Sequence, residues 1–233
     1  MKLSNNIQLI QRNKRISQIV HYSSLALLII GLVWSFTGAN LTQYTIAYII
    51  LIPAYILVQI SIYMANKWGR SPRPDEIIEQ SLKGLNDLYT LYNYNTSVSH
   101  LLVGPAGMWI IKPYHQFGTI TYNTEKFRYE QKGGANFIAK LFGQESLSSI
   151  EKESKIALRD FKDYKNKNNL GFDLEPKIVN IFYSDKADVI AKNAPEITIH
   201  ANKLKEMIRS QAKQSPLREE KNNQIRQQLP DPN

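Results

Sequence analysis

Residues 99–118 read SHLLVGPAGMWIIKPYHQFG and contain the side chains best suited to phosphate chemistry. The pattern predicts two short strands joined by a tight Gly-Pro turn, with the second strand ending in Lys112, Pro113 and Tyr114. A lysine and a tyrosine supply a cation and an aromatic ring, which suit phosphates and bases. A hydrolytic metal site would instead need carboxylates, because Mg²⁺ prefers oxygen ligands.

This stretch resembles the nuclease-related domain, NERD, which belongs to the broad PD-(D/E)xK nuclease-like class. The family pattern is an Asp-His pair opening one strand, a Val-Gly-Pro-x-Gly turn, a strand ending in Glu-x-Lys, and a Gly four residues after that Lys. His100 and the glycines match at the same spacings, and the likeness extends roughly over residues 75–211. The turn residues of the motif are Gly104, Pro105, Gly107 and Gly118.

The positions that perform catalysis in the family are substituted in this chain. Ser99, Lys112 and Tyr114 stand where the family has its metal-binding Asp, its Glu and its Lys. A lysine in place of the Glu at position 112 removes a metal ligand and also adds a positive charge where the metal would bind. Two unit charges 4 Å apart repel by about 4 kcal/mol at an effective dielectric near 20. The resemblance therefore implies a catalytically degenerate domain, and no metal cofactor is expected.

A relocated magnesium site is the alternative reading of the same stretch. Such a site would need at least two carboxylates from elsewhere in the domain to converge. Glu79 on the first predicted helix and Glu130 further along the chain are the candidates that we consider for it. The other acids near the motif in sequence are Glu76, Asp87 and Glu125.

Ligand binding without cleavage would use the basic and aromatic side chains of the region. The candidate ligand-binding residues are Lys112, Tyr114, His100, Lys126 and Arg128. We expect His100 to be structural, because it matches a family position beside the substituted Asp, and His115 to be exposed, because it follows a strand end. Four of the 29 basic residues precede the predicted membrane segment, which leaves 25 against 20 acidic residues after it. This excess is modest for a dedicated nucleic-acid binder.

An uncharged segment near the start of the chain predicts two membrane spans. Residues 16–66 contain no Asp, Glu, Lys or Arg, and the most apolar runs are 19–36 and 44–64. Each run is close to the roughly 20 residues that cross a bilayer. A signal peptide and a buried pair of core helices are the competing interpretations, but a second apolar run follows the first at once.

Basic residues flank both runs, and the loop between the runs has none. Lys2, Arg12, Lys14 and Arg15 precede the first run, whereas Lys67, Arg70 and Arg73 follow the second. Basic residues remain on the cytoplasmic side of a membrane. The sequence therefore predicts a two-span protein of the cell membrane with both termini in the cytoplasm.

The remaining elements alternate between helix and strand and predict an α/β fold. We expect a transmembrane helical hairpin followed by a restriction-endonuclease-like domain with a central mixed sheet, the last part of this being implied by the resemblance. A long helix is predicted near residues 146–165, and a loop at 132–143. The predicted segments are a basic N-terminus at 1–18, the hairpin at 19–66, a linker at 67–74, the α/β domain at 75–211 and a disordered tail at 212–233.

Three functional hypotheses follow from these features. The first is a membrane-anchored, degenerate NERD-like domain that binds or scaffolds at the cytoplasmic membrane face. The second is an active nuclease with a relocated metal site, and the third is a membrane sensor or assembly subunit without a nucleic-acid role. The expected partners are the lipid bilayer and either nucleic acid or another membrane protein. The chain has no cysteine, so thiolate metal sites and disulfides are excluded.

Overall fold

The computed structural model describes residues 1–37, 40–133 and 147–231. The chain divides into two compact units, an α/β unit that includes residues 1–6 and a helical unit that begins at residue 7. The predicted loop at 132–143 lies almost wholly outside the described residues. The helices are α1 Ile7–Thr37, α2 Leu41–Met64, α3 Pro74–Ser81, α4 Ile150–Lys167, α5 Leu204–Gln214 and α6 Glu219–Gln228. The strands are β1 Lys2–Asn5, β2 Thr90–Asn93, β3 His100–Gly104, β4 Gly107–Tyr114, β5 Gly118–Asn123, β6 Arg128–Lys132, β7 Lys177–Phe182, β8 Ala187–Ile190 and β9 Ile197–His200.

The helical unit is an antiparallel hairpin of α1 and α2 that packs through small residues. The buried positions recur every seven residues in both helices, a spacing that is typical of left-handed supercoiled helices. They are Ile10, Ser17, Ser24 and Gly31 in α1, and Ala47, Ala54 and Ser61 in α2. His21 Nδ1 lies 3.1 Å from Ser61 Oγ and adds a polar contact to this seam. Small side chains allow the two backbones to approach closely.

The outer surface of the hairpin is apolar. Large side chains such as Ile19, Trp34, Ile49 and Ile56 are between 44% and 65% exposed. Both helices are long and apolar enough to cross a membrane, and only 11% and 17% of their most apolar windows are buried within the structure. Helix α1 starts well before the predicted span, and α2 passes into a single π-helical turn at Ala65–Gly69.

A mixed sheet is the centre of the α/β unit. Among the described residues its strand order is β1-β2-β3-β4-β7-β9, and β2, β3 and β4 form an antiparallel meander. Strands β7 and β9 continue parallel to β4, whereas β1 lies parallel to β2 at the other edge. A smaller sheet, in the order β6-β5-β8, completes the strands that the structure describes.

Helices cover both faces of the central sheet. Ile78 of α3 and Leu204 of α5 pack with Trp109 and Ile111 on one face. Phe161 of α4 packs with Ile110 and its neighbours on the other face, together with residues of α6. Burial of these apolar side chains is the main stabilising contribution to this three-layer arrangement.

The prediction of a disordered tail at 212–233 is wrong for most of that segment. Helix α5 continues to Gln214, and α6 follows it. Ile225 and Leu229 of this segment are buried in the same core cluster as Phe161. The Gln- and Asn-rich composition suggested disorder, but a few well-spaced apolar residues are enough to dock the helix.

The N-terminal boundary also differs from the expectation. Residues 2–5 form β1 and pair with β2, so they belong to the α/β unit and not to a separate basic segment. The chain leaves the α/β unit after β1 and returns to it at α3. The helical hairpin is therefore an insertion within the α/β unit, and the domain begins before residue 75.

The turn between β3 and β4 explains two glycines of the motif, Gly104 and Gly107. A side chain at Gly104 would lie 2.6 Å from Tyr89 Cε1, so only a glycine lets that ring cover the turn. Gly107 has a φ of +92°, a conformation that L-residues rarely adopt. Pro105 accepts a hydrogen bond from the Leu217 N–H at 2.8 Å, which connects the turn to the chain preceding α6.

Candidate functional site

Lys112 and Tyr114 project from β4 towards α4. Trp109 and Ile111 face the opposite core, so the alternation of the strand places Lys112 and Tyr114 together on the α4 side. The Lys112 ammonium lies 5.8 Å from the centroid of the Tyr114 ring. The structure thus brings together these two predicted ligand-binding residues.

Glu153 of α4 accepts hydrogen bonds from both of these side chains. Its Oε2 lies 3.1 Å from Lys112 Nζ and 3.1 Å from the Tyr114 hydroxyl. The Ser149 hydroxyl donates to Oε1 at 2.6 Å, so three donors from two parts of the chain converge on one carboxylate. Charge-assisted bonds of this kind are stronger than neutral ones.

The electrostatics of this carboxylate follow from its surroundings. Burial tends to raise the pKa of Glu153, but the hydrogen bond from Ser149 and the charge of Lys112 outweigh it and leave that pKa below its ordinary value. The Lys112 side chain is 15% exposed and the Glu153 side chain 39%. Glu153 is therefore ionised at neutral pH in a site that water still reaches.

Ser99 lies just before the start of the strand next to β4. The pairing of β3 with β4 runs from Gly104 opposite Gly107 to Leu101 opposite Ile110. Ser99 is half-buried in the bend before β3, where its carbonyl accepts a hydrogen bond from the Tyr94 N–H at 2.7 Å. Ser99 therefore directly precedes the strand that pairs with β4, which carries Lys112.

His100 faces the other side of the sheet, towards α3. It is buried, and its Nδ1 lies 2.8 Å from Asn93 Oδ1. The Asn93 amide donates to Glu79 Oε1 at 2.9 Å, and the Asn5 amide donates to the same oxygen at 2.9 Å. This chain of hydrogen bonds joins β1, β2, β3 and α3, so the structure separates His100 and Glu79 from Lys112 and Tyr114.

The remaining candidates lie on the hairpin of β5 and β6. Arg128 Nε lies 3.5 Å from Glu130 Oε1, and the Asn123 amide donates to that same oxygen at 3.1 Å. The Asn123 side-chain oxygen also accepts hydrogen bonds from the backbone N–H groups of Glu125 and Lys126, at 3.0 Å each. Lys126, Arg128 and Glu130 therefore form a local network on the second sheet.

The carboxylates considered for a relocated metal belong to different networks. Glu79 binds amides near α3, whereas Glu130 binds Arg128 on the second sheet. Asp87 is exposed and contacts the Met1 amine at 2.9 Å. Within residues 1–37, 40–133 and 147–231, no group of three or more His, Cys, Asp or Glu side chains is placed to hold a metal.

A row of polar side chains that sequence reasoning missed continues from Lys112 across the sheet. Asn180 on β7 pairs with Lys112, and Thr198 on β9 pairs with Asn180. The Tyr129 hydroxyl lies 2.8 Å from Thr198 Oγ1 and 3.3 Å from Asn180 Nδ2. Lys112, Asn180 and Thr198 thus lie side by side on β4, β7 and β9, and Tyr129 of the second sheet contacts the last two. These four residues form a polar layer, and the site around Lys112 is one end of it.

Two further glutamates, Glu151 and Glu196, interact electrostatically with each other near this layer. Burial, followed by the negative charge of Glu151, raises the pKa of Glu196, and the charge of Lys112 acts in the opposite direction. The Tyr122 hydroxyl donates to Glu151 Oε1. Glu196 Oε2 is buried and has no hydrogen-bond partner among the described residues. Sequence reasoning missed both glutamates.

The spacing around Glu153 held a signal that could have identified it. Position 153 lies three residues after Ile150 and four before Ala157, both members of the predicted apolar stripe. Helical periodicity therefore directs Glu153 inward, although the charge pattern of this helix suggests a solvated face for its glutamates. An inward acid on a helix calls for a basic partner, and Lys112 fills that role.

The comparisons with known proteins add no relative. No protein-family model, curated protein or solved structure matches this chain significantly.

Proposed function

We propose that this chain is a membrane-anchored, NERD-like α/β domain that has lost the metal site of its nuclease relatives. It acts as a binding or scaffolding module at the cytoplasmic face of the cell membrane. The helical hairpin supplies the anchor, and the site around Lys112 supplies the binding function.

The ion pair between Lys112 and Glu153 carries the proposal. Phosphodiester cleavage in the PD-(D/E)xK class relies on a divalent cation held by oxygen ligands. Here an ammonium stands at the position of the family's Glu, 3.1 Å from the carboxylate that reaches it. A divalent cation would have to compete with this internal cation for Glu153. The local charges therefore favour binding without cleavage.

The arrangement of strands supports the family assignment. The resemblance puts the family's metal-binding Asp and Glu at positions 99 and 112, which lie directly before β3 and within β4, two strands that pair with each other. Along the chain, α3, the antiparallel meander, β5 and β6, α4 and a strand parallel to β4 follow one another, which agrees with the element order that the resemblance implies. These observations fit the proposal.

The hairpin supports the membrane anchor. Its outer surface consists of exposed apolar side chains, and its buried seam consists of small residues, as in helices that pack within lipid. Basic residues lie in the first turns of α1 and just after α2, and the connecting loop contains none. We infer two spans with both termini in the cytoplasm.

Topology reporters on the full chain test the anchor. A reporter at Asn40 should be extracytoplasmic, and a reporter at the C-terminus should be cytoplasmic. The protein should also require detergent for its release from the membrane fraction. A cytoplasmic signal from Asn40, or release by salt or carbonate alone, would overturn the anchored hairpin.

Copurification from detergent, with and without nuclease treatment, tests the binding module. A nucleic-acid ligand should disappear from the purified protein after treatment with a nuclease, whereas a protein partner should remain. The matched variant Lys112→Met removes the cation of the site but leaves the apolar stem of the side chain. A partner whose recovery is unchanged by Lys112→Met would not be bound at this site.

A further inference from the structure

We propose that Lys112, Tyr114 and Ser149 form an oxyanion-binding site that Glu153 occupies as a built-in anion. A ligand that bears a phosphate group enters the site by displacing the Glu153 carboxylate. This inference rests on the proposed binding function and names the chemistry of its ligand.

The donor geometry is that of an anion site. An ammonium and a phenol share Oε2 of Glu153 at 3.1 Å each, and a hydroxyl binds Oε1 at 2.6 Å. These groups are among those that bind phosphate oxygens in proteins. A carboxylate and a phosphate both present several negative oxygens, so the same three donors suit either anion.

The site can exchange one anion for another because it reaches water. Glu153 is 39% exposed, so its carboxylate can turn towards solvent without leaving a buried charge. A water-accessible ion pair contributes little to the free energy of folding, since the solvent screens both charges. Lys112 would keep an anionic partner throughout, because the incoming phosphate replaces the carboxylate.

The contrasting explanation is an ion pair that only stabilises the fold. Both explanations predict that neutralising Glu153 lowers stability. They differ in binding, because only a built-in anion makes the site available to another anion when its charge is removed. Binding of a phosphate probe by charge variants therefore separates the two explanations.

The experiment measures pyrophosphate binding to the full chain, reconstituted in nanodiscs of phosphatidylcholine so that no anionic lipid competes. Glu153→Gln removes the built-in charge but keeps the shape of the side chain. Isothermal titration calorimetry should show pyrophosphate binding about two- to fivefold tighter than in the wild type, the range expected when a water-accessible ion pair no longer competes for the donors. In Glu153→Gln the new amide oxygen could still accept hydrogen bonds from the donors of the site. Glu153→Ala, which has no such oxygen, is therefore measured in parallel.

Two matched variants isolate the site from a general charge effect. Glu151→Gln makes the same charge change in the same first turn of α4, at a carboxylate bound by Tyr122 instead of Lys112. It should bind pyrophosphate as weakly as the wild type. Adding Lys112→Met to Glu153→Gln should abolish the gain.

Each outcome decides the proposal. A gain confined to the Glu153 variants and lost with Lys112→Met supports the built-in anion. No gain in folded Glu153→Gln and Glu153→Ala, or an equal gain in Glu151→Gln, overturns it. Metal-dependent cleavage would overturn the proposed function but would not by itself produce or remove this pattern of pyrophosphate binding.

Discussion

The turn between β3 and β4 yields the sharpest stability prediction, through the substitution Gly104→Ala. A Cβ atom at position 104 would lie 2.6 Å from Tyr89 Cε1 and 2.7 Å from Tyr89 Cγ. Carbon atoms normally approach no closer than about 3.5 Å. Tyr89 is only 5% exposed and packs in the core cluster between α3 and the sheet, so its ring cannot move away freely.

The expected loss follows from these contacts. One extra methyl group in a well-packed core costs about 1 to 3 kcal/mol, and several ring atoms are involved here. The reduced entropy of the unfolded chain returns about 0.4 to 1 kcal/mol. We expect Gly104→Ala to lower the free energy of unfolding by about 2 kcal/mol or more.

Gly107→Ala is the matched control in the same turn. A Cβ at Gly107 meets no atom within 4 Å, so its cost arises only from the φ of +92° and amounts to about 1 to 2 kcal/mol. Trp109, which is buried and donates to the Ala106 carbonyl at 2.9 Å, reports unfolding through its fluorescence. Denaturant titration of the full chain in detergent gives the free energies.

A double-mutant cycle with Tyr89 gives the decisive comparison. In a Tyr89→Ala background the ring is gone, so Gly104→Ala should then cost less than about 0.5 kcal/mol. An equal cost in both backgrounds would refute the steric explanation. That explanation would also fail if Gly104→Ala proved no more damaging than Gly107→Ala in the wild-type background.

Three further predictions concern the helical seam and two carboxylates. Gly31→Leu should lower the stability of the hairpin by about 1 to 3 kcal/mol, because a Cβ there would lie 2.7 Å from Leu51 Cδ2. Thermal unfolding in detergent measures this loss, and Gly31→Ala should cause a smaller one. Glu196→Gln should raise stability at pH 7 by about 0.3 to 1 kcal/mol, because burial and Glu151 disfavour its charged form; a lower melting temperature would contradict this. Since the pKa of folded Glu153 is lowered, its contribution is present above the unfolded pKa and is lost as the pH falls through the folded pKa, so Glu153→Gln should flatten the acid limb of the stability profile.

The elements with strong periodicity could be predicted from the sequence. The apolar runs indicated two long helices, and the motif indicated strands that meet at a glycine turn, because both signals depend on local spacing. Strand alternation applied to β4 would also have placed Lys112 and Tyr114 on one face. These features are determined by neighbouring residues and need no knowledge of tertiary contacts.

The partners of the site could not be predicted in the same way. Glu153 is 41 positions after Lys112, and the charge pattern of its helix suggested a solvated side chain. Strand β1 is short and polar, and its pairing with β2 connects residues about 88 positions apart in the chain. Helix α6 has few apolar residues, and only its docking beside Phe161 reveals their role. Such features depend on tertiary packing, which overrides local composition.

Metal-dependent cleavage by the full chain, purified in detergent, is the most direct test of the central claim. We expect no Mg²⁺- or Mn²⁺-dependent cleavage of DNA or RNA, because Lys112 competes with any cation at Glu153. Manganese titration followed by electron paramagnetic resonance should likewise show no tight site. Cleavage that survives rigorous purification and disappears on Glu79→Ala, Glu130→Ala or Glu153→Ala would contradict the account and establish an active nuclease.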